Sequence, residues 1–580
     1  MSQSDGVSSG GHIVARTLQA VGVTCVYTLC GGHISPILVA ARALGIRVID
    51  VRDEAGAVYA ADASARLTGL PGVALVTAGP GVSNTLTALK NAQLAQSPLL
   101  LIGGAAPTVL QGRGALQDID QRAMVSPHVK GFWRVRRVAD LVSAVTAAFA
   151  CASGGVPGPV FIECPVDLLY DETTIRGWYV QAHARGQGIA ERLQRWYLQR
   201  HVARMFAGSS AALPSPHRSV VPQATEATLK RAAVALGRSQ RPLLLVGSQA
   251  LANPHSAARI AAAVDTLGVP VYLSGMARGL LGRQHPRQLL HQRRLALREA
   301  DCVLLAGVSC DFRLDYGRHM RSATTVVAAN RSAREARLNR RPQIAAIGDA
   351  GDFLQRLADQ LGASMARPEW MASLKARDAE REAAITAESQ QTGQYVNPVA
   401  LLRALDNCAS ESAIFIADGG DFVATAAYTL RPRHPLGWLD PGVFGTLGVG
   451  GGFAIGAASM RPGAEIWLLW GDGACGFSIA EMDSMVRHGL PVIAVVGNDA
   501  CWSQIAREQV KMLGDEVGTV LARSDYQRVA EGFGAVGLLI RDNADIATVL
   551  AQAQQIAASG RPVLVNVWLD RSAFREGSIS

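Results

Sequence analysis

Glu465-Ile466-Trp467-Leu468-Leu469-Trp470-Gly471-Asp472-Gly473 is the stretch that decides the fold of this chain. An unbroken apolar run that stops at a glycine turn reads as a buried strand of a parallel sheet. A second apolar run, Leu490-Pro491-Val492-Ile493-Ala494-Val495-Val496, leads into Asn498-Asp499, and Ile479 to His488 between the two reads as a helix. The order is strand, acidic turn, helix, strand, acidic turn, which is one βαβ unit. Oxygen ligands then lie at the carboxyl ends of two parallel strands, where open α/β sheets bind ligands. Oxygen-only ligands suit Mg2+, which commonly completes its octahedron with phosphate oxygens. The stretch implies a diphosphate anchored through a metal; the plainer alternative is a glycine-rich turn with no ligand.

The same alternation runs outward from this unit in both directions. Val23 to Thr28, Arg47 to Val51, Val73 to Thr77, Leu99 to Gly103 and Pro159 to Glu163 read as strands, with helices such as His12 to Val21 and Val58 to Thr68 between them. This predicts a doubly wound parallel sheet over residues 1–171. Residues 172–222 break the pattern, with Trp178-Tyr179 and Arg195-Trp196-Tyr197 mixing aromatic and basic side chains and Leu213-Pro214-Ser215-Pro216 reading as linker. A helical insertion packed on its own subunit is expected there, with an amphipathic membrane-surface helix as the alternative. A second α/β block spans 223–365, with strands at Pro242 to Gly247, Pro270 to Leu273, Asp301 to Gly307 and Ser322 to Ala329. A charged helical connector, Met371 to Glu388, occupies 366–395. The third block, 396–580, holds the metal turn and further strands at Ala413 to Ala417 and Pro562 to Trp568. The expected fold class is α/β, with three doubly wound parallel-sheet domains.

Bulk properties narrow the function. The 580 residues carry a net charge of +9 without a long Lys/Arg block, so no nucleic-acid arm is indicated, and anionic small molecules suit the balance. Nine cysteines lack CxxC or zinc-type spacing, the pattern of reduced cytosolic thiols. The uncharged stretches Gly442 to Met460 and Leu141 to Ile162 are broken by glycine and proline, so no membrane span is expected. Met1 to Gly11 lacks the design of a secretory signal. A soluble, cytoplasmic protein is the expectation.

Three α/β blocks with Gly-Asp-Gly and Asn498-Asp499 in the third resemble, over nearly the whole chain, the thiamine-diphosphate enzymes of the acetolactate synthase and pyruvate oxidase branch. The blocks then correspond to pyrimidine-binding, central and diphosphate-binding domains. The family signature ends in Asn-Asn, and Asp499 replaces its second asparagine. Aligned without gaps, Asp472 and Asp499 take the side-chain metal positions with the Cys501 carbonyl nearby; a loop shifted by one would use Asn498 instead. Gly471, Gly473 and Ala474 belong to the same cofactor turn.

The resemblance also implies roles in the first block. Glu54, at a strand-to-helix junction, would hydrogen-bond the aminopyrimidine and favour the imino tautomer that removes the thiazolium C2 proton; read from position alone, it is a carboxylate in a first helical turn. Thr77-Ala78-Gly79-Pro80-Gly81-Val82-Ser83-Asn84 resembles the turn that packs on the pyrimidine, through Pro80 and Asn84. His33 would be a proton donor or substrate contact, and Gln117 resembles a glutamine that reaches the reacting carbon. In the third block, Gly419, Gly420 and Asp421 would meet the diphosphate. Phe444-Gly445-Thr446-Leu447-Gly448 resembles the loop in which Leu447 wedges between the cofactor rings, with Gly445 beside it. Phe574 to Ser580 is either a disordered end or a lid.

Within the branch, Cys30 to Pro36, Lys90 to Pro98, Gly497 to Trp502 and the tail resemble acetolactate-synthase-like 2-hydroxyacyl-CoA lyases. That implies acyl-CoA and aldehyde substrates, and a nucleotide portion (coenzyme A or a regulatory ADP) in the central block, with Arg278, Arg283 and Arg313 as candidate phosphate contacts. It also implies a homodimer or homotetramer with sites at subunit interfaces. Acetolactate synthase is the alternative enzyme, usually an FAD protein, although no feature here demands flavin. A non-catalytic cofactor-binding protein is the alternative from another class.

Overall fold

The apolar runs fold into three sheets of six strands each, every pairing parallel. The computed structural model describes residues 9–181, 188–208, 220–362 and 367–575. The first sheet holds β1 (Cys25–Thr28), β2 (Arg47–Asp50), β3 (Gly72–Val76), β4 (Leu99–Ala105), β5 (Gly131–Arg134) and β6 (Pro159–Pro165) in the order β2-β1-β3-β4-β6-β5. The second holds β7 (Pro242–Val246), β8 (Val271–Leu273), β9 (Gln288–Leu289), β10 (Cys302–Ala306), β11 (Thr325–Asn330) and β12 (Ile344–Ile347) in the order β12-β11-β10-β7-β8-β9. The third holds β13 (Ile414–Asp418), β14 (Trp438–Leu439), β15 (Ile466–Gly471), β16 (Val492–Asn498), β17 (Val536–Ile540) and β18 (Val563–Trp568) in the order β14-β13-β15-β16-β18-β17.

Numbered within each domain, the first and third sheets share one strand order, 2-1-3-4-6-5. The second reads 3-2-1-4-5-6, the order of dinucleotide-binding folds. The central strands β3, β4, β6 and β16 are buried along their whole length. Helices on both faces are what allow such continuous apolar runs.

The sequence reading omitted β5, β9, β12, β14 and β17, and all five lie at sheet edges. An edge strand has one neighbour and needs no continuous apolar run. The helix expected over Ile479 to His488 is Glu481–Arg487, and a further helix, Asp472–Ser478, precedes it and starts on the metal turn itself.

The chain divides by its contacts into two units, residues 1–65 with 70–219 and residues 66–69 with 220–580. In the first unit, Val202, Met205 and Phe206 of the insertion helix Ile189–Phe206 join the sheet core beside Val26, Leu75, Leu100 and Ile162. In the second, the connector is the helix Pro368–Glu388, which buries Trp370 and Leu374 against the central sheet. Leu213 to Pro216 lie outside the described residues. Among the described residues no helix is long and apolar enough to cross a membrane.

Candidate active site

Four strands of the first sheet end in candidate residues. The turn after β1 carries His33, the helix Glu54–Thr68 follows β2, the turn Thr77–Asn84 follows β3, and the loop with Gln117 follows β4. Adjacent parallel strands therefore deliver all of them to one sheet edge. Asp53, rather than Glu54, caps the helix start, its Oδ1 accepting from Ala55 N at 2.7 Å. Glu54 is buried, and its Oε2 accepts from Asn84 Nδ2 at 3.0 Å. The carboxylate is thus held by the turn that the sequence paired with it.

His33 Nδ1 lies 3.0 Å from Thr77 Oγ1, and that hydroxyl donates to Gln117 Oε1 at 3.4 Å. With its proton on Gln117, Thr77 accepts from Nδ1–H, which leaves the His33 lone pair on Nε2. Burial lowers the His33 pKa, so the imidazole is neutral at pH 7. Tight packing fixes the arrangement: a Cβ at Gly104 would overlap the His33 side chain, and one at Gly31 would overlap Thr77. Gln117 adopts φ +63°, with Gly79 against its backbone.

Sequence reasoning assigned no role to Thr77, nor to the cluster beyond Gln117. Gln121, buried, donates to Gly104 O at 3.1 Å and to Glu163 Oε2 at 3.2 Å, and Glu163 pairs with Arg134 at 2.5 Å. These side chains and Gln117 line a polar cavity of about 300 Å³. The signal in the sequence was Glu163, an acid closing the apolar run Val160-Phe161-Ile162.

The third sheet delivers the other set in the same way. β13 ends at Asp418, followed by Gly419-Gly420; β15 runs into Asp472; β16 ends at Asn498. Cys501 N–H points at both carboxylates, 3.3 Å from Asp472 Oδ2 and 3.1 Å from Asp499 Oδ1. Asp472 Oδ1 accepts from Gly473 N at 2.7 Å, and Ser503 Oγ donates to Asp499 Oδ2. Asn498 faces elsewhere: its amide donates to Ser524 O at 3.2 Å and to Asn566 Oδ1 at 3.3 Å. The structure therefore brings Asp499 to Asp472 and turns the Asn498 side chain into the domain.

Burial, and after it the Asp499 carboxylate, push Asp472 up to about 7. Burial raises Asp499 as well, against the lowering by Ser503. A buried acid beside a half-buried one is a donor set that a divalent ion would neutralise. Among the described residues no three His, Cys, Asp or Glu side chains cluster into a complete metal site. Backbone carbonyl, phosphate or water oxygens must finish the coordination, as Mg2+ commonly requires. The residues present fit a metal-anchored diphosphate.

Around the pair, Gly419 at φ +151° lies against Gly471, and a Cβ on Gly473 would overlap the Trp502 ring. Asp421 opens the helix Asp421–Thr429, and its carboxylate pairs with Arg507. Leu447 is half-buried and outside the core cluster of the third sheet, in a loop shaped by Gly445 at φ +64° and Gly448 at φ +88°. Asp418, fully buried, accepts from Gly448 N at 3.1 Å and Gly450 N at 2.8 Å, tying that loop to β13. Ala474 is buried in the helix after the metal turn.

The arginines considered for phosphate contacts have protein partners in this structure. Arg283 pairs with Asp406 at 2.9 Å, Arg313 with Asp311 at 2.7 Å, and Arg278 donates to Ala427 O at 2.7 Å while lying over Trp438. Arg278 and Arg283 link the central and third domains. In the tail, Arg575 is buried over Tyr428, and Phe574 meets the same ring edge-on; residues 576–580 lie outside the described residues.

Three family models match this chain. The N-terminal TPP binding domain of thiamine pyrophosphate enzymes matches residues 8–124, their central domain 229–357, and their C-terminal TPP binding domain 418–567. Among curated proteins, 2-hydroxyacyl-CoA lyase 2 of Homo sapiens is 49% identical, covering 99% of this chain and 92% of its own. The protein of that name from Caenorhabditis elegans is 47% identical, covering 98% and 91%. The acetolactate synthase large subunit IlvG of Mycobacterium tuberculosis is 32% identical, covering 97% and 96%.

Proposed function

The chain belongs to the thiamine pyrophosphate enzymes, and from that premise we propose that it is a thiamine-diphosphate-dependent 2-hydroxyacyl-CoA lyase. It splits the bond between the thioester carbon and the hydroxyl-bearing carbon, giving formyl-CoA and an aldehyde, and runs the reverse acyloin condensation. The observation that carries this reading is the likeness to the lyases, which spans the chain and exceeds the likeness to the synthases. The sites support it without selecting the substrate, because fold does not fix function.

Bound thiamine diphosphate supplies a thiazolium that stabilises the carbanion created when the carbon–carbon bond breaks. The protein's own groups do the rest. Glu54, held by Asn84, presents a buried carboxylate to the pyrimidine side. Asp472 and Asp499 would hold Mg2+ with a backbone carbonyl, for which Cys501 is the candidate, and Gly419, Gly420 and Gly473 would keep side chains away from the diphosphate. Leu447 would pack against the cofactor. His33, neutral and with its lone pair on Nε2, accepts the hydroxyl proton of the bound acyl-CoA, and Gln117 orients that hydroxyl.

The active assembly is a homodimer or homotetramer in which a C2 pair of chains builds the site twice. A cytoplasmic setting suits the nine cysteines, all free. Purified protein given Mg2+, thiamine diphosphate and a short 2-hydroxyacyl-CoA should release aldehyde and formyl-CoA, and Glu54→Gln should stop it. Acetolactate from pyruvate without lyase turnover would replace this reading by the synthase. Substrate turnover unaffected by Glu54→Gln would remove catalysis from this site.

A further inference from the structure

The insertion helix Ile189–Phe206 has two faces, and the activity proposed above uses neither. The inner face is packed: Leu198, Val202, Met205 and Phe206 are buried. His201 Nε2 lies 2.7 Å from Thr108 Oγ1, which donates to the buried Asp167 at 2.5 Å, fastening the helix to the domain. The opposite face carries Ile189, Leu193, Trp196 and Tyr197, exposed by 78%, 62%, 58% and 54%. At 3.6 residues per turn these four form one stripe, on which Arg200 and Arg204 also fall and which Arg192 flanks. The Arg200 guanidinium lies over the Trp196 ring at 5.4 Å. Glu191 is the helix's single acid, against four arginines, and its carboxylate accepts from Gly188 N at 2.7 Å.

We propose that this face docks the protein on an anionic lipid surface, with the helix lying in the headgroup plane. Trp and Tyr favour the membrane–water boundary, where an apolar body meets a wet tip. Arginine stems lie along apolar surface while their guanidinium groups reach headgroup phosphates. Arginines set among exposed aliphatic and aromatic side chains let the apolar bodies enter the boundary while the guanidinium groups stay with anionic headgroups. The helix is already folded and anchored by its inner face, so docking needs no coil-to-helix ordering. Charge also argues against a second copy of the chain as the occupant. An isologous contact through this stripe would bring together two copies of one net-positive face that carries no acid to answer its arginines. A lipid surface supplies the opposite charge instead.

The test is co-sedimentation of the full-length protein with phosphatidylglycerol vesicles, with phosphatidylcholine vesicles as the comparison. Binding to phosphatidylglycerol that fades with salt, and little binding to phosphatidylcholine, is expected. Leu193→Asp with Trp196→Asp should abolish it. Arg200→Glu with Arg204→Glu should weaken it by about tenfold or more, since each basic residue near an anionic surface contributes on the order of fivefold. Both pairs lie on an outward face, so circular dichroism and oligomer size should match the wild type; the arginine pair keeps the test decisive if the aspartates disturb the helix. The proposal is overturned by wild-type protein that ignores phosphatidylglycerol, or by folded variants that bind as the wild type does. It is equally overturned if the aspartate pair splits the oligomer, which would make this face a contact between copies.

Discussion

Asp418→Asn sets burial of a charge against loss of an acceptor, at the residue that joins β13 to the Leu447 loop. Oδ1 accepts from Gly448 N at 3.1 Å, and Oδ2 from Gly450 N at 2.8 Å and Trp470 Nε1 at 3.2 Å. Burial outweighs these three donors and pushes the group up to about 7. An unfolded aspartate titrates near ~3.9. The folded value is the higher, so the stability this group contributes is complete below about pH 4 and is lost as pH rises through about 7. The loss runs at about 1.4 kcal/mol per pH unit. Asparagine is neutral throughout and escapes it. Its one acceptor serves Gly450 and Trp470, while its NH2 confronts the Gly448 N–H, which costs about 1–3 kcal/mol at every pH. The variant should therefore be less stable than the wild type near pH 4, close to it near pH 5, and more stable at pH 7. Between pH 5 and pH 7 the difference should move by about 2 kcal/mol, a relative shift in melting temperature of about 4–8 °C. Scanning calorimetry of both proteins across that range reads it directly, since other titrations cancel in the difference. A difference flat with pH would refute the reasoning. It would mean that the two glycine N–H groups and the N-terminus of the helix Val449–Met460 keep Asp418 ionised in spite of its burial.

Glu54→Gln should keep its hydrogen bond from Asn84 and its melting temperature while turnover falls by about 10²–10⁴, checked by steady-state kinetics beside calorimetry. Asp499→Asn should weaken the melting-temperature gain given by Mg2+ with thiamine diphosphate, whereas Asn498→Ala should lower the melting temperature without cofactor, because Ser524 O and Asn566 lose a donor. Gly473→Ala, pressing a methyl into the Trp502 ring, should abolish the cofactor-induced shift in the same assay. Thr77→Val should lower kcat about fivefold to thirtyfold with little change in cofactor affinity, because His33 and Gln117 lose the hydroxyl between them.

Much of the fold was legible because a parallel strand buried on both faces must be apolar along its length. β15 and β16 show this as Ile466 to Trp470 and Val492 to Val496, and their acidic turns followed from where those runs stop. The same rule hid the edges: β14 is two residues and β5 is half-exposed, so neither has a run to read. Side-chain direction was the second limit. Asn498 and Asp499 are adjacent, and from spacing alone either could face Asp472. The structure separates them through pairing: Asn498 closes β16 opposite Trp568, beside Asn566 on β18, while Asp499 lies past the strand end. The link between Gln121 and Glu163 was illegible for a related reason, since only β4 lying beside β6 brings Gly104, Gln121 and Glu163 together.

The repeated strand order accounts for the place of the chemistry in both terminal domains. In an order 2-1-3-4-6-5, the connections from strands 1 and 3 leave toward opposite faces of the sheet, opening a crevice at their carboxyl ends. In the first sheet that crevice lies between β1 and β3, from which His33 and Thr77 emerge, with Glu54 after the neighbouring β2. In the third it lies between β13 and β15, from which Gly419 and Asp472 emerge, with the Leu447 loop after the neighbouring β14. A ligand with an uncharged ring at one end and a diphosphate at the other requires two different environments. Here one crevice offers neutral and singly acidic groups fixed by side-chain hydrogen bonds, and the other offers paired acids among glycines. The central sheet has a different order, and Arg278, Arg283 and Arg313 there bind protein acceptors.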